Sequence, residues 1–242
     1  MGTSTDRTEG RGGSWTPLKY AATSYVRGLG AGGGGTRDRA ARVLARHFPV
    51  LGGAAGAASS ARAGRTGLQR LGGLLAGIAD PGLGPTLVEL GLVELVGRRR
   101  FDVLDELVTL IAGDGDDLES QAARDAACDV LDELFQGADA WDELAATTVS
   151  ADELQELLEA FLVRYVYNRV PVIAERLGRL ADPEAMRRAD AQMRQIVEDL
   201  VVIRLPADPF TVDWSGPEGA AIAADAIRGV YETVEALEGA QQ

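Results

Sequence analysis

The chain has 242 residues, of which 46% are apolar and 25% charged, and its net charge is −13. These values are typical of a globular protein and exclude a disordered chain. A single cysteine, Cys128, excludes an internal disulfide and fits a reducing compartment. No apolar run approaches the roughly 20 residues that a membrane-spanning helix needs, and we find no signal sequence. We therefore expect a cytoplasmic protein.

Charge is distributed unevenly along the chain. Residues 1–100 contain 14 basic and 6 acidic side chains, a net charge of +8. Residues 101–160 contain Arg124 alone against 18 acids, a net charge of −17, and residues 161–242 have a net charge of −4. Such segregation favours partners selected by charge over a small-molecule substrate. The alternative is an ordinary acidic protein surface.

The first 14 residues, MGTSTDRTEGRGGS, are small and polar without a hydrophobic period, which predicts a disordered, mobile N-terminal arm. Order is expected to begin near Trp15, with Pro17 in the first turn of a short helix. A flexible linker follows at 28–35, where the sequence is GLGAGGGG. Residues 15–80 as a whole form a Gly/Ala/Arg-rich helical segment. The small residues at 52–77 would let neighbouring helices approach closely, and because glycine weakens a helix, we expect packing or a partner to order this stretch.

Residues 81–242 are predicted to form an acidic α-helical core domain. Apolar side chains recur at helical spacing in FDVLDELVTLIAG (101–113) and again over 117–135. Ser150, followed three residues later by Glu153, is a capping box that opens a long helix.

Two Pro-containing pairs, Asp182-Pro183 and Gly216-Pro217, mark the starts of further helices. Between them, VVIRL and FTVDW could form a short β pair near 201–214. The predicted fold class is therefore mostly α: an irregular helical bundle with a mobile N-terminal arm.

Catalytic and metal-binding patterns are missing from the sequence. His47 is the only histidine, and nothing assembles it with a nucleophile and an orienting group. Cys128 lies near aspartates that raise the pKa of a thiol, so we interpret it as a packed structural residue. A calcium loop would need a third ligand and a glycine after Asp114, Asp116 and Asp117, which favours a solvated loop capping the next helix. We expect no enzymatic activity, no catalytic residue, no cofactor and no metal.

The arginines between Arg37 and Arg100 could contact phosphates. However, aromatic stacking residues are missing and the adjacent acidic block would repel a polyanion, so direct nucleic-acid binding is disfavoured. The basic half is better suited to an acidic protein surface, which includes the acidic half of another copy. A basic-arm nucleic-acid-binding module and a purely structural, homo-oligomeric subunit remain as alternatives.

Gly2 follows Met1, and its small size permits removal of the methionine. The free amine that results would have a pKa of about 7.7–8.0, so part of it is neutral and nucleophilic at cellular pH. A myristoylation pattern needs Ser or Thr at position 6, where this chain has Asp6. On the residues alone, Met-Gly also begins many chains without any functional meaning.

Five segments of the chain resemble the QatB family of the bacterial Qat anti-phage defence system in their order and spacing. They are the opening MGTS with its Gly/Ser-rich arm reaching SW (14–15), GLGPTLVELGLVELVG (82–97), LDELF (131–135), YNRVPVIAERL (167–177) and VDWSGPEG (212–219). None of these segments is a catalytic signature.

The resemblance implies a non-enzymatic subunit of a system that also encodes an ATPase, a QueC-like enzyme and a TatD-like nuclease. It implies that the QueC-like partner attaches a 7-deazaguanine-type base, through an amide, to the amine of Gly2. Gly2, Thr3 and Ser4 would then form the modified, partner-recognised N-terminus, and Asp6 and Arg7 could set its register at the partner's pocket. The subunit would act as an adaptor for the ATPase and the nuclease.

Overall fold

The computed structural model of the protein describes residues 15–30, 36–170, 182–199 and 201–239. The N-terminal arm predicted at 1–14 lies outside these residues.

The described residues fold almost entirely into helices, which confirms the predicted mostly α class. In chain order the α-helices are α1 (Trp15–Gly30), α2 (Thr36–His47), α3 (Gly53–Ser60), α4 (Arg62–Ala79), α5 (Leu83–Glu89), α6 (Arg100–Ala112), α7 (Leu118–Leu134), α8 (Trp141–Ala145), α9 (Ala151–Asn168), α10 (Pro183–Glu198) and α11 (Pro217–Gly239). Short 3-10 helices occupy Phe48–Leu51, Val93–Leu95 and Pro209–Thr211. Within this part of the chain, no helix combines the length and the apolarity needed to cross a membrane.

The chain divides into two compact units, and each unit is built from separate stretches of sequence. The described residues of the first unit are 15–30, 36–60, 170, 182–196 and 231–239. Those of the second unit are 61–169, 197–199 and 201–230. The expected boundary between residues 80 and 81 falls inside the second unit, between α4 and α5.

In the first unit, α1 packs along α2. Leu18 and Tyr25 of α1 and Val43 and Leu44 of α2 are buried. The hydroxyl of Tyr25 donates a 2.9 Å hydrogen bond to the backbone carbonyl of Ala189 in α10. Apolar burial and one buried hydrogen bond therefore hold these three helices together.

The first residues of the stretch predicted as a linker at 28–35 are helical, because α1 continues through Gly30. Packing explains this continuation. A Cβ placed on Gly28 would lie 2.5 Å from Nε of Arg39, so the absence of a side chain leaves room for the Arg39 guanidinium of α2 beside α1. Residues 31–35 lie outside the described residues.

In the second unit, α4 contacts α5, α6, α7 and α9 and is therefore the central helix. Three of its glycines face aromatic rings: Gly64 lies against Tyr165, Gly67 against Phe161 and Gly72 against Trp214. A Cβ at Gly67 would lie 2.7 Å from Cζ of Phe161, inside any normal contact distance. The glycines that weaken α4 as an isolated helix thus make room for its neighbours, as the small-residue composition predicted.

The predicted start of α9 is confirmed. The hydroxyl of Ser150 accepts a hydrogen bond from the backbone N–H of Glu153 at 3.3 Å, and the Glu153 carboxylate accepts one from the N–H of Ser150 at 2.8 Å. The bond from the Ser150 N–H, followed by one of 2.7 Å that the Ser150 hydroxyl donates to the same carboxylate, holds the pKa of Glu153 below its usual range. The helix ends at Asn168, three positions before Pro171 in the sequence.

The β pair expected near 201–214 is wrong. Residues 201–206 have no regular structure, and Pro209–Thr211 forms a 3-10 helix. The alternating apolar residues pack into the protein interior without forming strands: Val201, Ile203, Val212 and Trp214 are all buried.

Candidate functional site

The predicted site residues Gly2, Thr3 and Ser4 lie outside the described residues. The first described residue is Trp15, where α1 begins. The ring of Trp15 is partly exposed, and Tyr20 of the same helix is 74% exposed, whereas Leu18 is fully buried. The described structure therefore begins with a helix that leaves two aromatic rings accessible.

His47 is a structural residue of α2. Its side chain is only 2% exposed, at the end of a helix whose Val43 and Leu44 are also buried. The ring of His47 therefore lies in the packed interior of the first unit, away from solvent.

Asp117 caps α7, as predicted. One carboxylate oxygen accepts hydrogen bonds from the N–H groups of Glu119 and Ser120, both at 2.9 Å, and the other accepts from the Ser120 hydroxyl at 3.2 Å. Chiefly because of the bonds from Ser120, the pKa of Asp117 is lowered. No group of side chains suited to hold a metal ion is found among the described residues.

Glu119 is a structural residue that the sequence did not reveal. The residue before α4, Ala61, has no side-chain acceptor to cap that helix. Instead, Oε1 of Glu119 accepts hydrogen bonds from the N–H groups of Ala63 at 2.8 Å and Gly64 at 3.2 Å, and from the Tyr165 hydroxyl at 2.5 Å. A carboxylate from α7 thus caps α4 across 56 residues of sequence. The only signal in the sequence is the missing local cap.

A groove of about 540 Å³ lies along the packed helices α6 and α7 of the second unit, and we call it the α6–α7 groove. Apolar side chains of α6 form part of its lining: Phe101, Leu104 and Val108. The remaining lining residues are Arg100, Asp105, Arg124, Asp125, Cys128, Asp132 and Asp139. Phe101 is 76% exposed, so a bulky aromatic ring stands open to solvent at this surface.

The two arginines of the α6–α7 groove already bond to groups of the protein. Arg100 forms a 2.6 Å ion pair with Asp132. Arg124 donates 3.0 Å hydrogen bonds to the backbone carbonyls of Gly113 and Gly115. The four aspartates of the lining outnumber these two arginines, so the groove has a net negative charge.

Further acids surround a smaller depression of about 410 Å³ that shares Arg100 and Asp132 with the groove. It adds Asp129 and Glu133, both of which pair with Arg164, at 3.6 Å and 2.7 Å. The outer face of α7 thereby carries four of the 18 acids of residues 101–160, namely Asp125, Asp129, Asp132 and Glu133.

Cys128 lies in the α6–α7 groove. Its interpretation as a packed residue is wrong, because the side chain is exposed. The predicted rise in its pKa is confirmed. Partial desolvation in the groove is the largest cause, followed by the charges of Asp129, Asp132 and Asp125. The thiol is therefore accessible but weakly nucleophilic.

Several arginines of the basic half bind groups of the protein itself. Arg70 donates a 2.8 Å hydrogen bond to the carbonyl of Leu110, and Arg98 donates one of 3.1 Å to that of Glu94. Arg99 pairs with Asp102 at 3.3 Å. A guanidinium has five N–H donors, so these bonds use only part of the donor capacity of each arginine.

Fold and surface together define an all-helical protein whose described part presents an acidic, partly apolar groove. The model of a family described as Qat anti-phage system associated protein QatB matches residues 52–234. The chain therefore belongs to the QatB family and is a component of an anti-phage defence system. No curated protein and no solved structure matches it. Four of the five resembling segments lie in the matched range, and the N-terminal one lies before it.

Proposed function

We propose that this subunit is a non-enzymatic adaptor whose Gly2 amine is conjugated to a 7-deazaguanine-type base by a QueC-like partner. The modified subunit joins the ATPase and the TatD-like nuclease of the same system. Membership of the QatB family is the observation that carries this proposal. The small, polar residues that surround Gly2 in the sequence support it.

The proposed bond is an amide between the Gly2 nitrogen and a carboxyl carbon of the base. A free carboxylate does not react with an amine in water, so the partner must first activate it with a nucleoside triphosphate, as an acyl phosphate or acyl adenylate. The neutral amine attacks the activated carbon, the phosphate or nucleotide leaves with the electron pair of the broken C–O bond, and the amine proton passes to a base. Because only the neutral amine attacks, the rate should rise with pH and level off above the amine pKa of about 7.7–8.0.

The sequence of the arm suits this reaction. Thr3 and Ser4 are small, so an extended chain end carrying them can enter a narrow partner site. Asp6 and Arg7 are the first charged residues and could stop at the mouth of that site. We propose that this change from small to charged residues fixes how far Gly2 reaches.

Mass spectrometry of the intact protein and of its N-terminal peptide tests the conjugation. The protein is expressed alone and with the QueC-like partner. We expect a nucleobase-sized mass on Gly2 only in the second sample. Gly2→Glu, which retains Met1, should abolish this mass, whereas the control Gly2→Ala still permits removal of Met1. The proposal would be contradicted if Gly2 stayed unmodified when an active QueC-like partner was coexpressed, or if the conjugate persisted in Gly2→Glu.

Copurification tests the adaptor role. The ATPase and the nuclease are coexpressed with the unmodified subunit, the modified subunit, or neither. We expect the two enzymes to copurify only when the subunit is present, and more completely when Gly2 is modified. Assembly of the two enzymes without the subunit would contradict the adaptor role while leaving the conjugation intact.

A further inference from the structure

We propose that the α6–α7 groove is a docking site for an amphipathic helix of another protein, one that carries arginine or lysine beside one or two bulky apolar side chains. This inference does not depend on Gly2, because the groove belongs to the described second unit and is formed without any modification.

The apolar part of the groove has helical spacing. Phe101, Leu104 and Val108 lie at positions i, i+3 and i+7 of α6 and form one stripe about 10 Å long, along which Phe101 is exposed, Leu104 is half-buried and Val108 is buried at the floor. An amphipathic helix laid into a groove contacts such a stripe with anchors at similar spacing.

The charge of the groove selects the partner. Asp105, Asp125, Asp132 and Asp139 line it, and its two arginines are bonded to Asp132 and to backbone carbonyls. Residues 101–160 extend this negative field with a net charge of −17. A cationic helix is attracted by this field, whereas nucleic acid and anionic lipid are repelled.

A second copy of this chain fits the groove less well than another protein does. Among the described helices α2 has the most arginines, but its apolar residues Val43 and Leu44 are buried within the first unit and cannot serve as anchors. Each copy also has a net charge of −13, which opposes self-association. The groove therefore points to a basic partner.

Binding of synthetic helical peptides to the unmodified protein tests the inference. One fluorescent probe carries arginines on one face and Leu and Phe, four residues apart, on the other. A second probe has glutamate in place of every arginine, and a third has alanine in place of Leu and Phe. Fluorescence anisotropy should show the first probe binding at least about tenfold more tightly than either of the others. Equal binding of the three probes, or no binding of the first, would overturn the inference.

Exposed positions supply matched variants. Phe101→Asp and Asp105→Arg alter the groove and should each weaken binding of the cationic probe about tenfold. Leu118 is 75% exposed and Glu156 is also exposed, and neither lines the groove, so Leu118→Asp and Glu156→Arg serve as controls. The controls should bind within about twofold of the wild type. If the controls lose binding as strongly as the groove variants, attraction is diffuse and the inference fails.

Two competition experiments separate other occupants. Light scattering is measured on the wild type as the protein concentration increases. We expect no self-association of the kind that the cationic probe would reverse. Duplex DNA added as a competitor should displace the probe only because the DNA binds the cationic probe. The DNA should not bind the protein. Reversible self-association through the groove, or DNA bound to the protein in a manner that Phe101→Asp abolishes, would contradict a basic protein partner.

Discussion

The Tyr165 hydroxyl on α9 and the Glu119 carboxylate on α7 share a hydrogen bond of 2.5 Å, and the same carboxylate oxygen caps the first turn of α4. Three helices of the second unit therefore meet at one charged acceptor. Hydrogen bonds to a charged group are stronger than neutral ones. Gly64, whose N–H is one of the donors, also faces the ring of Tyr165, so the close approach of the helices and the cap depend on each other.

Glu119→Ala should lower the free energy of unfolding by about 2–3 kcal/mol, because two helix N–H groups and a tyrosine hydroxyl lose their acceptor. Glu119→Gln retains a carbonyl oxygen and should lose less. Tyr165→Phe removes one donor and should lose about 1 kcal/mol. Urea unfolding measures all three variants. In the double variant Glu119→Ala/Tyr165→Phe the two losses should not add, and additive losses would show that the two residues are not coupled.

Adjacent glycines of α4 should respond in opposite directions to alanine. A methyl group on Gly72 would overlap the six-membered ring of Trp214, which is buried and donates a 3.3 Å hydrogen bond to the carbonyl of Pro209. We expect Gly72→Ala to destabilise the protein by about 1–3 kcal/mol.

Gly73→Ala is the matched control, because its methyl group would meet the Cβ of Trp214 at an ordinary 3.5 Å. Alanine favours a helix over glycine by up to about 1 kcal/mol, so this variant should be unchanged or more stable. Thermal unfolding followed by circular dichroism compares the two variants. Equal destabilisation would show that glycine is needed along α4 for a reason other than contact with Trp214.

The sequence predicted those elements whose signals are local. The apolar stripes at 101–113 and 117–135 correspond to α6 and α7, and the Ser150 capping box starts α9. Each of these depends on side chains within a few residues of one another. The β pair near 201–214 was predicted wrongly because alternation of apolar residues also suits an irregular segment packed against helices.

What the sequence could not predict depends on contacts between distant residues. The bond from Ala63 to Glu119 spans 56 positions, and nothing near either residue indicates it. Likewise, the acidity of residues 101–160 was evident, but the grouping of four aspartates with Phe101 and Cys128 depends on how α6 packs on α7. The proposed site at Gly2 lies outside the described residues, so it rests on the sequence and the family alone.

Cys128 should react slowly with iodoacetamide although it is exposed. Its pKa is raised by desolvation and by Asp129, Asp132 and Asp125, so less thiolate is present at any given pH than in a free cysteine. Asp129→Asn removes the largest of the three charge effects and should lower the pKa and speed alkylation. The rate is measured by mass spectrometry between pH 7 and 10. A wild-type rate equal to that of a cysteine-containing peptide would contradict the raised pKa.

Helix caps should make the stability of the protein depend on pH in the acid range. The pKa values of Asp117, Glu143 and Glu153 are all lowered, each chiefly by hydrogen bonds from backbone N–H groups. A carboxyl group whose pKa is lower in the folded than in the unfolded protein stabilises the fold at pH values above its pKa in the unfolded protein. This stabilisation is lost as the pH falls through the pKa of the group in the folded protein. Stability should therefore be constant near neutral pH and decline below about pH 4.

Asp117→Ala isolates one of these caps. At pH 7 it should lower the free energy of unfolding by about 1 kcal/mol, the usual effect of removing an aspartate cap. The difference from the wild type should shrink towards pH 3, because protonation then weakens the same cap in the wild type. Asp116→Asn removes a charge one residue away and leaves the cap intact. The free energy of unfolding of this variant should therefore match that of the wild type at both pH 7 and pH 3. Urea unfolding at pH 7 and pH 3 measures the comparison, and a difference that grows in acid would show that the cap does not act through the ionised Asp117 carboxylate.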